Sequence, residues 1–145
     1  MKKKLTTNEL LEILKSTRNE AELHNYTQSH ASSLASESFP EYILSNMEQQ
    51  NMTSAELIRR SEIQRNYGYQ ILNGDKRPGR DKIISLCLAL SLSIDDTQKA
   101  LTLAGEGILY PKKQRDSILI FCINNQLSVS DANKILFDMG EPVLT

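Results

Sequence analysis

The chain reads as an all-α protein, and three observations predict it. Apolar residues recur at helical spacing along nearly its whole length. Sustained alternation of β-branched residues, the mark of a half-buried strand, is missing, and no two-residue hairpin turn separates such runs. Helix-start chemistry, a hydroxyl residue with an acid three positions later, recurs at TSAE (53–56) and SVSD (128–131).

The elements follow in order. Thr7 is placed to cap a first helix whose stripe is Leu10, Leu11, Ile13 and Leu14, with Glu9 and Glu12 near its positive end. QSHASSLASES, residues 28–38, is poor in large apolar groups and predicts a linker or weak helix behind this arm. Pro40 suits the first turn of a helix running through Tyr42, Ile43, Leu44 and Met47 to about Gln50. In TSAE a reciprocal capping box is expected, starting a helix that ends near Ser61 and turns inward Ala55, Leu57 and Ile58.

After a connection over 62–64, a short helix fits from about Arg65 to Asn73, with Gly68, Ile71 and Leu72 as its buried edge and Asn73-Gly74 as its left-handed exit. Glycine inside a helix costs about 1 kcal/mol relative to alanine. Its place on the inward edge therefore suggests a neighbouring helix passing very close, unless the helix begins only after Gly68. RDKIISLCLALSL (80–92) is apolar on nearly every side and predicts the central buried helix. Asp95 and Asp96 open a helix closed by Gly105, another spans about 112–125 with Ile118, Ile120, Phe121 and Ile123, and a last one runs from Ser128 to Met139-Gly140. The division expected is an N-terminal helix and linker (1–38), a central domain (39–105) and a C-terminal helical hairpin (106–145) that either packs on the same body or is used for dimerisation.

Chemistry-bearing motifs are few. Cys87 and Cys122 lie inside apolar runs without CxxC spacing, and the stretch after the Met-Lys-Lys-Lys start is amphipathic and short of the ~20 apolar residues of a membrane span. Reduced buried thiols in a soluble, cytoplasmic protein are expected. His24 and His30 lack partner cysteines, and neither a Gly-rich phosphate loop nor a triad spacing occurs, so neither an enzyme nor a cofactor or metal is expected.

Charge is segregated instead. The formal net charge is -1, yet residues 59–82 hold seven basic groups against three acidic ones, so the remainder carries a net negative charge. A polybasic mode of binding is excluded for the whole chain, and a local one is not.

Within that stretch, MTSAELIRRSEIQRNYGYQILNGDKRPGRDKIISLCLALSLSIDD resembles the Cro and phage-repressor type of helix-turn-helix domain, often called XRE-like. The resemblance covers about residues 40–105 and rests on the order of a capped helix, a turn, a helix ending ILNG, a basic loop with a proline, and a buried helix. It implies a five-helix lambda-repressor-like DNA-binding domain, with the N-terminal arm and two C-terminal helices appended. It further implies that 65–73 is a recognition helix in the major groove of double-stranded DNA.

Under that alignment Arg65, Asn66, Tyr69 and Gln70 face base edges, which suits their chemistry: arginine matches guanine O6 and N7, while asparagine and glutamine match adenine N6 and N7. Ser54, at the start of its helix, and Asn73, Lys76, Arg77 and Arg80 after the recognition helix, are the phosphate contacts. Ser54 replaces the glutamine usual in the family. Gly68 stands where a branched apolar residue is usual, Gly79 replaces a serine cap, and Tyr67 and Tyr69 are bulky for a groove-facing start. Tyr67 is read as core packing beside Gly68. The expected function is a sequence-specific transcriptional regulator, bacterial or phage, acting as a homodimer built by residues 106–145 or the arm. The alternative keeps the fold as an interaction module for a protein partner, held through that fold itself or through the appended helices of residues 106–145.

Overall fold

The computed structural model describes residues 5–30 and 37–145. Those residues form nine helices and no strand, in keeping with the all-α class that the sequence predicts, with the helix over Glu20–Ser29 added to those expected. They fall into two units, divided between Ser36 and Glu37. Most of the expected 28–38 linker, residues 31–36, lies outside the described residues.

The first unit contains α1 (Thr7–Ser16) and α2 (Glu20–Ser29). Thr6, one residue before the expected Thr7, caps α1 by accepting from the Glu9 N–H at 3.2 Å. α2 starts at the acids Glu20 and Glu22, with Asn19 as its cap. Tyr26 is the buried side chain of this pair, its ring 5.2 Å from that of His30.

The second unit holds seven helices: α3 (Phe39–Gln49), α4 (Ser54–Ser61), α5 (Arg65–Leu72), α6 (Arg80–Ala89), α7 (Ile94–Leu103), α8 (Gln114–Asn124) and α9 (Val129–Asp138). Residues 106–145 lie in the same unit as 37–105.

One device makes several of the corners. At Asn51, Glu62, Ser91 and Gln126 the backbone turns left-handed, with φ of 52°, 58°, 53° and 53°. An apolar residue follows in each case (Met52, Ile63, Leu92, Leu127), and then the cap of the next helix (Thr53, Gln64, Ser93, Ser128). The left-handed residue ends one helix, the apolar one plugs into the core, and the cap opens the next. Three of the plugs also donate back to the helix just ended: Met52 to the Met47 carbonyl, Leu92 to Cys87 and Leu127 to Cys122. The recurrence of helix-start chemistry at TSAE and SVSD is therefore part of a repeated corner.

α6 is the axis of the unit. Its Ile83, Ile84, Leu86, Cys87, Leu88 and Ala89 are all buried, and it packs against α4, α7, α8 and α9. Burial of each large side chain contributes roughly 1.5–3 kcal/mol. Cys87 and Cys122 are free and buried, and burial pushes the Cys87 thiol up to about 12. In α8, Ile118 and Ile123 enter the core as predicted, but Phe121 faces outward and is 53% exposed. No helix among the described residues is long and apolar enough to cross a membrane.

Candidate nucleic-acid interface

α4, the corner at Glu62 and α5 form two short helices at the surface of the second unit. Thr53 opens α4 by accepting from the Glu56 N–H at 3.2 Å. The reciprocal half of the expected capping box is replaced: the Glu56 carboxylate takes a hydrogen bond from Arg60 at 2.6 Å instead. Gln64 Oε1 opens α5 by accepting from the Tyr67 N–H at 2.8 Å. A glutamine in this role has no distinctive sequence signal, because its longer side chain is not among the favoured caps.

Gly68 explains how α5 is seated. A Cβ at this position would lie 2.7 and 2.8 Å from the Cγ1 and Cγ2 atoms of Ile58 on α4. The close neighbour expected from the sequence is thus α4 itself, and the helix begins at Arg65, ahead of the glycine. Ile71 and Leu72 complete the buried edge, and Tyr67 packs, partly buried, against the core.

Because that edge is apolar, the opposite face of α5 keeps its polar groups outside. Arg65, Asn66 and Tyr69 are exposed and Gln70 is half-buried. The Arg65 guanidinium sits over the Tyr69 ring, 5.9 Å from its centroid. Ser54 is half-buried at the first turn of α4. Asn73 ends α5, and its Oδ1 accepts from the Asp75 N–H at 3.0 Å, which folds the chain into the loop. Gly74 follows with φ of 88°, the left-handed exit that Asn-Gly predicts.

The loop is fastened at two points: the Lys76 N–H donates to the Gln70 carbonyl at 3.1 Å, and Pro78 is buried. Between them Lys76 and Arg77 are exposed, and no carboxylate pairs with either among the described residues. Fastened backbone with unspent cations suits a site that grips an anionic strand.

Arg80 departs from the expected phosphate set. Its Nη1 and Nη2 donate to the two Asp116 carboxylate oxygens at 3.1 and 3.0 Å, while Nε and Nη2 donate to the carbonyls of Gly107 and Ile108. This guanidinium is committed to anchoring the segment before α8. Beside it Arg115 makes a second bidentate pair with Asp81, at 3.0 and 2.9 Å, and the C-terminal Thr145 N–H also donates to Asp81. Burial pushes the Asp116 carboxyl up, but hydrogen bonds from Arg80 and from the Tyr110 N–H outweigh it and hold the group below the usual carboxylate range. At Asp81 the same contest between burial and Arg115 ends the same way.

Arg59, the first of the basic residues of 59–82, lies outside the contacts that the family resemblance implies. It is exposed on α4, lacks a carboxylate partner among the described residues, and lines a groove of about 320 Å³ with Ala55, Ile58, Ile63 and Arg65. On the far side of the corner the Ser130 hydroxyl donates to the Glu62 carboxylate at 3.0 Å, tying the start of α9 to the turn between α4 and α5.

Comparison of the chain with models of known families, with characterised proteins and with solved structures returned no match.

Proposed function

We propose that the protein binds double-stranded DNA in a sequence-specific manner through α5, as a transcriptional regulator of the helix-turn-helix kind. One observation carries the reading: Arg65, Asn66, Tyr69 and Gln70 share the outward side of an 8-residue helix, followed by a fastened loop with two unspent cations. A helix about 10–12 Å across enters a major groove ~12 Å wide, where guanidinium and amide groups meet the donors and acceptors of base edges. Lys76 and Arg77 then hold the backbone, joined by Ser54 at the α4 N-terminus and the Asn73 amide, and supply affinity without sequence choice. Arg80 takes no part. A helix this short reads only a few base pairs, so the active form in this proposal is a homodimer on two half-sites about one helical turn apart.

The second reading, an interaction module with a protein partner, draws on the outer face of the C-terminal hairpin, where Phe121 and Phe137 are 53% and 76% exposed. Salt separates the two. Binding to mixed genomic fragments that weakens steeply between 50 and 200 mM salt supports DNA as partner. No retention of such fragments even at the lower salt ends the DNA reading and leaves the interaction module.

A further inference from the structure

Arg65 and Tyr69 are four residues apart on α5, so the helix stacks one above the other on a single face. The 5.9 Å between guanidinium carbon and ring centroid lies within the range at which an aromatic face attracts a cation. Arg65 has no carboxylate partner among the described residues, in contrast to Arg60, Arg80 and Arg115. Tyr69 remains 37% exposed, whereas Tyr67, two residues earlier, packs against the core. The helix thus leaves one tyrosine outside, under the one guanidinium of its own face.

The difference between a stacked and a paired arginine is chemical. A guanidinium is planar, and its five N–H donors lie in the plane. A carboxylate consumes two of them, as Asp116 does with Arg80; an aromatic ring 5.9 Å from the guanidinium carbon consumes none, and its attraction biases where the side chain sits. From this we infer that Tyr69 is a positioning residue: it holds Arg65 edge-on toward the groove, and the base read there is guanine. Guanine presents two adjacent acceptors, O6 and N7, that match the fork, whereas adenine sets a donor beside its N7. The inference rests on the DNA reading proposed above and replaces the role first expected for Tyr69, a direct contact with a base edge.

The test is selection of bound sequences from a randomised duplex pool by the full chain, in the wild type, Arg65→Ala, Tyr69→Ala, Tyr69→Phe and the double alanine variant. Thermal melts accompany each, and the exposed positions of both side chains predict intact folds. The wild type is expected to enrich guanine at one position of its site, and Arg65→Ala to abolish that preference. Tyr69→Ala should weaken it about two- to fivefold, the equivalent of an exposed cation–π contact. Tyr69→Phe keeps the ring face and should keep the preference, and Tyr69→Ala should change nothing further once Arg65 is gone.

Additive effects, effects of the two residues at different base positions, or a Tyr69→Phe variant as impaired as Tyr69→Ala would each overturn the inference while leaving DNA binding in place. A wild-type protein that enriches sequences without a guanine position overturns it equally. If nothing is retained on DNA at low salt, the inference falls together with the reading beneath it.

Discussion

Arg77 and Arg80 are three residues apart in one basic stretch, and the fold treats them in opposite ways. Around α5 and its loop, apolar contact does the holding: Gly68, Ile71, Leu72 and Pro78 are buried, and the polar tips of Arg65, Asn66, Lys76 and Arg77 stay outside. At the start of α6, charge does the holding: Arg80 grips Asp116, Arg115 grips Asp81, and the chain terminus closes on the same carboxylate. The fold spends four of the five Arg80 donors on its own carboxylate and carbonyls, which leaves little for a partner. Local basicity therefore overstates a binding surface wherever an acid distant in sequence comes back to meet it, as Asp116 does here.

The largest effect should come from breaking the charged side of this contrast. Asp116 is 5% exposed and Arg80 26%, so Asp116→Ala leaves a half-enclosed guanidinium without its anion and should cost about 3 kcal/mol, read by chemical denaturation. Arg77→Ala should lie within about 0.5 kcal/mol of the wild type in the same experiment. The pH dependence follows in sign. Both Asp81 and Asp116 are held below the ordinary carboxylate value, so their stabilisation is complete above pH ~4 and drains away as pH falls through the depressed values. Asp116→Asn should flatten that acid limb; an unchanged limb would mean that the pair does not contribute.

Next comes the apolar seat of α5. Gly68→Ala gains about 1 kcal/mol of helix propensity but drives a methyl into Ile58. Overpacking costs typically 1–3 kcal/mol, so a net loss of about 1 kcal/mol is expected from thermal melts. Ile58→Ala makes room for that methyl, and should therefore destabilise the Gly68→Ala protein less than it destabilises the wild type. Equal costs in the two backgrounds would show that the contact does not seat the helix.

The sequence makes the helices, their caps and the central run of α6 legible because these are local: a hydroxyl three residues before an acid, or an apolar stripe, is visible in a short window. Gly68 is informative for the same reason, since its cost in a helix demands a neighbour. Two kinds of feature were hidden. Glu62, Ser91 and Gln126 turn left-handed without being glycine or asparagine, and only the packing of the apolar residue after each one enforces that turn. The partnership of Arg80 with Asp116 spans 36 residues, and nothing near either residue announces the other. At the candidate interface the exposed tips of α5 followed from its apolar edge, while the fate of each basic residue depended on where the C-terminal hairpin folds back.

Sequence preference and plain affinity give the finest test of the contrast. Gln70→Ala should relax choice at one base pair by about 1 kcal/mol or more, at little cost on random DNA. Arg77→Ala should weaken preferred and random duplexes alike, and lower the salt-dependence slope by about 1, because one fewer phosphate is neutralised. Arg80→Lys keeps a cation and removes the fork that Asp116 and the two carbonyls occupy. Its melting temperature should fall, with the salt slope of the folded protein unchanged. A slope that drops for Arg80→Lys as it does for Arg77→Ala would mean that Arg80 leaves Asp116 when DNA arrives, and the division between spent and unspent cations would then hold only for the free protein.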